Sequence, residues 1–251
     1  MKSLALVVPC KDEARRLVVS EFLNAIHEHP YLRLLFVDDG SMDSTAETLA
    51  FLERESPSIR ALYLPVNVGK AEAVRRGVNW LLKNTKCETV GFWDADLATP
   101  FSELDAFVGA MEANPSCVAA IGARWPHLGV QIDRSAFRHF TGQAMKLLIR
   151  LMLNIPVYDT QCGAKIFRRD IAADIFRTPF VSRWLFDVEL LRRMSSADLR
   201  RCVTEIPLSF WRDVEGSKLT ARDAMHLLPD LVRIAMTSRP AAEFSIPMPA
   251  L

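Results

Sequence analysis

Thr89-Val90-Gly91-Phe92-Trp93-Asp94-Ala95-Asp96 decides how this chain is read. Thr89 to Trp93 is a short run with β-branched and aromatic side chains, and it reads as a buried strand. It ends directly in two carboxylates one residue apart. Carboxylates so spaced, just past a strand, can point toward one cation. Mg²⁺ and Mn²⁺ favour oxygen ligands and keep coordination positions open for substrate phosphates. A metal at Asp94 and Asp96, with Ala95 between them, would act as a Lewis acid on a leaving diphosphate. The same acids also suit an ordinary solvated loop.

Working outward, the pattern repeats. Leu4 to Pro9 reads as a strand that runs into Cys10-Lys11-Asp12-Glu13, with a helix from about Glu13 to His27. Leu32 to Val37 reads as a second strand, closed by Asp38-Asp39-Gly40-Ser41, with a helix starting near Asp43 or Ser44. Ile59 to Leu64 is a third strand, and a helix follows Gly69. Val118 to Ala123 is a fifth. Strands alternating with helices argue for an α/β fold, a mostly parallel sheet flanked by helices. In open sheets of this kind ligands bind beyond the carboxyl ends of the strands. All three acidic clusters are therefore expected on one rim.

Each cluster has a chemical and a bland reading. Asp38 and Asp39 can accept hydrogen bonds from a nucleobase N–H or ribose hydroxyls, or form a strand-to-helix turn with an N-cap. Pro9, Asp12 and Glu13 can approach a nucleoside, or the acids can simply begin a helix with a favourable dipole. Lys70, in Asn67-Val68-Gly69-Lys70, can approach phosphate at a helix N-terminus or stand exposed. It does not belong to a Walker loop, whose spacing is absent.

Bulk properties agree with an ordinary globular protein. The chain has 251 residues, 50% of them apolar, enough for a sizeable core. A formal net charge of +1 offers no strong field toward nucleic acid. The five cysteines form no CxxC pair, which fits a reducing compartment. No apolar stretch reaches the roughly 18–20 residues that span a bilayer, and the N-terminal run is too short for a signal sequence. A cytoplasmic protein is expected, with attachment to the cytoplasmic membrane face left open.

The second half is less regular. Asp133 to Leu153 reads as a long helix, Cys162 to Phe167 as a strand, Trp184 to Met194 as a helix, Val203 to Phe210 as a strand, and Thr220 to Thr237 as a last helix. Residues 240–251 carry three prolines and read as a loose tail. Met145 to Met152 is apolar with two cations, so it suits either a core helix or a membrane surface. His226 to Arg233 invites the same two readings. We expect one domain over residues 1–239, with a regular first half at 1–125 and an acceptor-side second half at 126–239.

The motifs together resemble family 2 glycosyltransferases of the GT-A fold, over roughly Leu4 to Leu219. Val7-Val8-Pro9-Cys10-Lys11-Asp12-Glu13 resembles the opening Pro-x-x-Asn-Glu motif, with Asp12 in place of the usual Asn. Val37 to Thr45 resembles the nucleotide motif and Asp94-Ala95-Asp96 the metal motif. Asn67-x-Gly69-Lys70, Asp159-Thr160-Gln161-Cys162-Gly163-Ala164-Lys165, Phe186-Asp187-Val188-Glu189-Leu190 and Gly216-Ser217-Lys218-Leu219 are similar to polyprenyl-phosphate sugar transferases, closest in wording to dolichyl-phosphate glucosyltransferases. Departures are Ala164, where an aromatic is common, and Ala98, where mannose synthases have Gln.

The resemblance implies Asp39 and Glu13 on the nucleoside and Asp94 and Asp96 on Mg²⁺ or Mn²⁺. It implies Arg124 and Arg138 on phosphate, and Gln161, Asp187, Glu189, Arg212 and Lys218 along the reacting centre or acceptor side. Asp187 and Glu189 are two apart on a helix, do not share a face, and are expected to do different jobs. The implied reaction moves a hexose, glucose from UDP-glucose first among them, onto a polyprenyl phosphate with inversion. Rivals are mannose from GDP-mannose, a soluble transferase acting on a hydroxyl with Asp187 as base, and a silent nucleotide-sugar binder.

Overall fold

The computed structural model describes residues 3–125, 131–133, 149, 152–153, 155–194, 203–212 and 221–237. In chain order the elements are β1 (Leu4–Cys10), α1 (Val19–Glu28), β2 (Leu32–Asp38), α2 (Thr45–Glu55), β3 (Ile59–Tyr63), α3 (Lys70–Asn84) and β4 (Thr89–Trp93). A single 3-10 turn, Phe101–Glu103, leads into α4 (Leu104–Ala113). Then come β5 (Ala119–Ala123), β6 (Gln131–Asp133), β7 (Ala164–Arg168), α5 (Arg169–Ile175), α6 (Phe186–Arg193), β8 (Val203–Pro207), β9 (Phe210–Arg212) and α7 (Ala221–Thr237).

Seven strands form one sheet in the order β3-β2-β1-β4-β7-β5-β8. The β1–β2, β1–β4, β2–β3 and β5–β8 pairs are parallel, while β7 runs against both β4 and β5. β6 and β9 pair separately, and in parallel. The sheet is thus mostly parallel, as expected, and its central strands are buried on both faces. That burial explains why they read as continuous apolar runs.

Side-chain alternation divides the core in two. Ala5, Val7, Leu35 and Val37 face one layer, packed with Val74, Val78 and Leu81 of α3, Phe186 of α6 and Leu231 of α7. Leu4, Leu6, Val8, Leu34 and Phe36 face the other, packed with Phe22 of α1, Leu49 and Leu52 of α2, and Phe107 of α4. In α3, Val74, Val78 and Leu81 recur at helical spacing and make its buried face.

Several expected boundaries move. The first helix begins at Val19, not Glu13, because Glu13 to Leu17 is a turn closed on the Glu13 carbonyl by the Arg16 and Leu17 amides. The strand expected over Val203–Phe210 is two strands in two sheets. Pro207 lacks an amide hydrogen, and the Glu103 carboxylate accepts the Ser209 and Phe210 amides. Asp133 lies in β6 and does not start a helix. The remainder of the Asp133–Leu153 helix lies outside the described residues apart from Ile149, Met152 and Leu153, which are helical. The tail at 240–251 also lies outside them. α4 and α5 were not expected. Among the described residues, no helix is long and apolar enough to cross a membrane.

Candidate active site

The order β2-β1-β4 sets three acid-bearing carboxyl ends side by side: Asp38 and Asp39 after β2, Asp12 and Glu13 after β1, and Asp94 and Asp96 after β4. Because β7 is antiparallel to β4, with Trp93 opposite Ala164, the amino end of β7 meets the same rim. That places Gly163 and the residues before it against Asp94.

The Asp94–Asp96 loop is tightly held. The Asp94 amide donates to the Gly163 carbonyl at 3.0 Å and the Leu97 amide to the Asp94 carbonyl at 3.2 Å. The Ala98 amide donates to Asp96 Oδ1 at 3.1 Å, and the Trp93 indole N–H to the Thr99 carbonyl at 2.6 Å. Leu97 takes φ 50°, a left-handed conformation that a branched side chain adopts at a cost. Ala95 is buried between the two acids.

Gly163 sets where Asp94 can sit. A Cβ at position 163 would lie 2.0 Å from Asp94 Oδ2 and 2.3 Å from its Cγ. The absent side chain is therefore the space the carboxylate occupies. Lys70 Nζ lies 2.6 Å from Asp94 Oδ1. The ammonium and this buried oxygen form an ion pair. Burial first, then the neighbouring Asp94 charge, pushes the Asp96 carboxyl above the usual aspartate range. Burial alone would lower the Lys70 ammonium pKa, but Asp94, Asp187 and Asp96 together raise it.

Two carboxylates close enough to perturb one another suit a hard divalent cation. Among the described residues, no group of three His, Cys, Asp or Glu could hold one. Two protein carboxylates would leave the remaining positions of Mg²⁺ or Mn²⁺ to a bound diphosphate and water.

The other acids of the rim are all engaged by the protein itself. Asp39 is 3% exposed and accepts the Val68 amide at 2.6 Å and the Gly69 amide at 2.8 Å. Burial outweighs these bonds and raises its carboxyl above the ordinary value. Gly40, at φ 66°, passes so close to the Val66 and Asn67 backbone that a Cβ would sit 2.9 Å from both. Asp38 accepts the Ser41 amide at 2.9 Å and so shapes the turn. Asp12 accepts the Met42 amide at 2.7 Å and pairs with Lys11 at 3.0 Å. Glu13, expected near the nucleoside, is gripped at both oxygens by Arg16, at 2.7 and 2.5 Å. Pro9 is half-buried in β1, opposite Val37 of β2.

The second half brings a buried ion pair to the rim. Lys165 is fully buried, and its Nζ donates to Asp187 Oδ1 and to the Cys162 carbonyl, each at 2.5 Å. Burial raises the Asp187 carboxyl, against the lowering effects of Lys165 and Lys70. Glu189 does a different job, as its spacing required. It accepts the Val181 and Ser182 amides and pairs with Arg193 at 2.9 Å. Arg193 in turn holds the carbonyls of Ile175, Thr178 and Pro179. Glu189 therefore fixes the loop ahead of α6.

Arg124, read as a phosphate ligand, is clasped by Asp159 through Nε at 2.5 Å and a terminal nitrogen at 2.7 Å. Its guanidinium lies 5.2 Å from the Trp211 ring centroid. Burial would lower the Arg124 pKa, but the Asp159 carboxylate holds it above the ordinary value. Gln161 is half-buried, and its backbone N–H donates to Asp159 Oδ1 at 3.3 Å. Arg212 lies in β9, its backbone opposite Asp133 of β6. Arg138 and Lys218 lie outside the described residues.

Sequence reasoning missed Lys165, Asp159 and Gly163 as members of the site. A single lysine in an otherwise apolar strand was a usable signal, since a buried charge needs a partner.

The family description Glycosyl transferase family 2 matches residues 5–176. A dolichyl-phosphate beta-glucosyltransferase of Trichomonas vaginalis is 31% identical over 95% of this chain and 75% of its own length. The mouse dolichyl-phosphate beta-glucosyltransferase is 33% identical over 87% of this chain and 70% of its own. Among solved structures, glucosyl-3-phosphoglycerate synthase from Mycobacterium tuberculosis in complex with uridine diphosphate superposes with a TM-score of 0.69 at 16% identity, covering 94% of this chain and 80% of that one. The same synthase in complex with Mn²⁺, uridine-diphosphate-glucose and phosphoglyceric acid gives a TM-score of 0.67 at 15% identity, covering 94% and 80%.

Proposed function

The chain belongs to glycosyl transferase family 2, and from that premise we propose that it moves glucose from UDP-glucose onto the phosphate of a polyprenyl lipid. The observation that carries the reading is the rim itself. Asp94 and Asp96 stand together after β4, with Lys70 at 2.6 Å from Asp94 and the buried Lys165–Asp187 pair close by. The likeness to dolichyl-phosphate beta-glucosyltransferases across nearly the whole chain supports the donor and the acceptor class. The solved synthase of the same fold with Mn²⁺ and UDP-glucose supports the donor and metal.

In this reading Asp94 and Asp96 hold Mg²⁺ or Mn²⁺, which would act as a Lewis acid on the leaving diphosphate. Asp39, which holds the 67–69 loop, serves the nucleoside side. The Asp12 turn borders it, and Lys70 neutralises diphosphate charge at the α3 N-terminus. Arg124, oriented by Asp159, together with Arg138, Arg212 and Lys218, supplies positive charge toward the acceptor phosphate. Gln161 and Asp187 line the sugar side. A phosphate is already ionised at neutral pH, so it needs no strong base. Rate enhancement then rests on positioning and charge stabilisation.

The test is a donor panel of UDP-glucose, GDP-mannose and other nucleotide sugars, with Mn²⁺ or Mg²⁺ and a polyprenyl phosphate. Labelled product should partition into organic solvent and should depend on UDP-glucose. Preference for GDP-mannose would reassign the donor. Water-soluble product would reassign the acceptor. Asp96→Asn should abolish turnover while the protein still folds, and normal activity of that variant in chelator-treated buffer would remove the metal from the scheme.

A further inference from the structure

We propose that Arg183 is a positioning residue for the nucleotide: carried by the second half of the chain, it clamps the 67–69 loop and so sets donor affinity. The inference rests on the reading of that loop as part of the donor site.

The guanidinium of Arg183 occupies the place that a side chain at Gly69 would take. A Cβ there would lie 2.8 Å from Arg183 Nε and 3.0 Å from Nη2. Nη2 also donates to Asn67 Oδ1 at 3.3 Å. The planar group thus packs on the backbone of the loop and grips a side chain at its start. Asp39 holds the same loop by other atoms, the Val68 and Gly69 amides. Burial raises the Asp39 carboxyl, while those amides and the Arg183 and Lys11 charges act the other way and favour the ionised form that grips both N–H groups. The loop therefore has two clamps, one from each half of the chain. Directly after it comes Lys70, which faces Asp94 at 2.6 Å, so a shift of the loop moves a cation of the donor site.

The bracket that carries Arg183 is stiff. Glu189 is buried and accepts the Val181 and Ser182 amides. The buried Ser182 hydroxyl donates to Asp230 of α7 at 2.7 Å and accepts the Trp184 and Leu185 amides. The backbone on both sides of position 183 is thus tied to buried groups, while Arg183 itself is exposed. Immobilising a long arginine side chain costs entropy, and a fixed backbone leaves less of it to lose. Two further contacts tie α3 to the same stretch of chain. Asn79 Nδ2 donates to the Phe176 carbonyl at 3.0 Å, and Arg75 to the Arg177 carbonyl at 3.3 Å. Those hold the body of the helix, whereas Arg183 reaches the loop ahead of its first turn. Loss of Arg183 therefore loosens the loop without releasing the helix.

The experiment measures UDP binding to the full chain by titration calorimetry with Mn²⁺ present, together with KM for UDP-glucose and for a polyprenyl phosphate. Arg183→Ala should weaken UDP binding by about tenfold, the scale of one lost contact to a charged group. KM for UDP-glucose should rise by about the same factor, while KM for the polyprenyl phosphate should move by less than about twofold. Arg183→Lys keeps the charge but loses the planar fork, and should not restore the affinity. Ser182→Ala loosens the bracket. It should weaken UDP binding by about threefold in the wild-type background and by nothing further in Arg183→Ala, because its effect runs through that guanidinium. Thermal melts of each variant confirm that it is folded. A folded Arg183→Ala within about twofold of wild type for UDP overturns the clamp. Recovery in Arg183→Lys overturns it by assigning the effect to charge alone. An equal loss from Ser182→Ala in both backgrounds overturns it by assigning the effect to general loosening. Wild type that binds no UDP refutes the donor reading itself, and the clamp goes with it.

Discussion

Gly163→Ala isolates the recess that seats Asp94. The new methyl would lie 2.0 Å from Oδ2 and 2.3 Å from Cγ, where ordinary contact begins at 3.4 Å. The carboxyl must therefore retreat by more than about 1 Å. It is the tip of a side chain and can swing, so the fold bears little of the cost. An off-rotamer aspartate costs about 0.5–1.5 kcal/mol, which lowers the melting temperature by roughly 1–6 °C in a domain of this size. The chemistry bears much more, since a displacement of about 1 Å in a positioning group commonly reduces rate about 100-fold. The assay pairs a thermal melt with kcat/KM for transfer from UDP-glucose to a polyprenyl phosphate in saturating Mn²⁺. We expect a near-normal melt and a loss of about two orders of magnitude in kcat/KM. A folded variant within about threefold of wild type would refute the link between Gly163 and Asp94.

Three further outcomes are expected. Asp39→Asn turns one acceptor into a donor facing a backbone amide and leaves that amide unmet, so chemical denaturation should show a loss of about 1–3 kcal/mol along with weaker UDP binding. Lys165→Met strands the Asp187 charge in the core and should cost about 3–5 kcal/mol; Lys165→Met with Asp187→Leu should cost less than the two single changes added together, and a strictly additive cycle would deny the coupling. The folded protein keeps the Asp96 proton to higher pH than the unfolded chain, whose carboxyl titrates near 3.8, so stability should decline as pH rises just above that value. Asp96→Asn should flatten that part of the stability–pH curve, and an unchanged slope would show that Asp96 titrates alike in both states.

The donor half of the fold was legible because its strands are buried on both faces. Leu4 to Val8, Leu34 to Val37 and Val90 to Trp93 are uninterrupted apolar runs, and a carboxylate cluster follows each, at once after the last two and three residues on after the first. α4 was harder to see. Leu104, Phe107, Val108 and Met111 are buried, but the helix is short and its start lies in a 3-10 turn without a side-chain cap. α5 is shorter still. The acids were legible as a rim, but their partners were not. Asp159 meets Arg124 across 35 residues and Lys165 meets Asp187 across 22. Sequence spacing carries no sign of such pairs, so Arg124 read as a phosphate ligand and gave no hint of the carboxylate that orients it. Glu13 and Arg16, three residues apart, could have been paired from spacing once the segment was read as a turn.

The reversed strand β7 has a consequence for biosynthesis. Its amino end, with Gly163, completes the Asp94 loop, and its two edges join β4 to β5. As the chain leaves the ribosome, β1 to β4 can pair in order, but β4 keeps one open edge until residues near 168 have emerged. The recess for Asp94 does not exist before that moment. A nascent or truncated chain ending near residue 125 would display the bare β4 edge, a template for wrong pairing, and would lack half of the wall around its own carboxylates. The Asp94 recess and the cover for the β4 edge therefore arrive in the same step of synthesis.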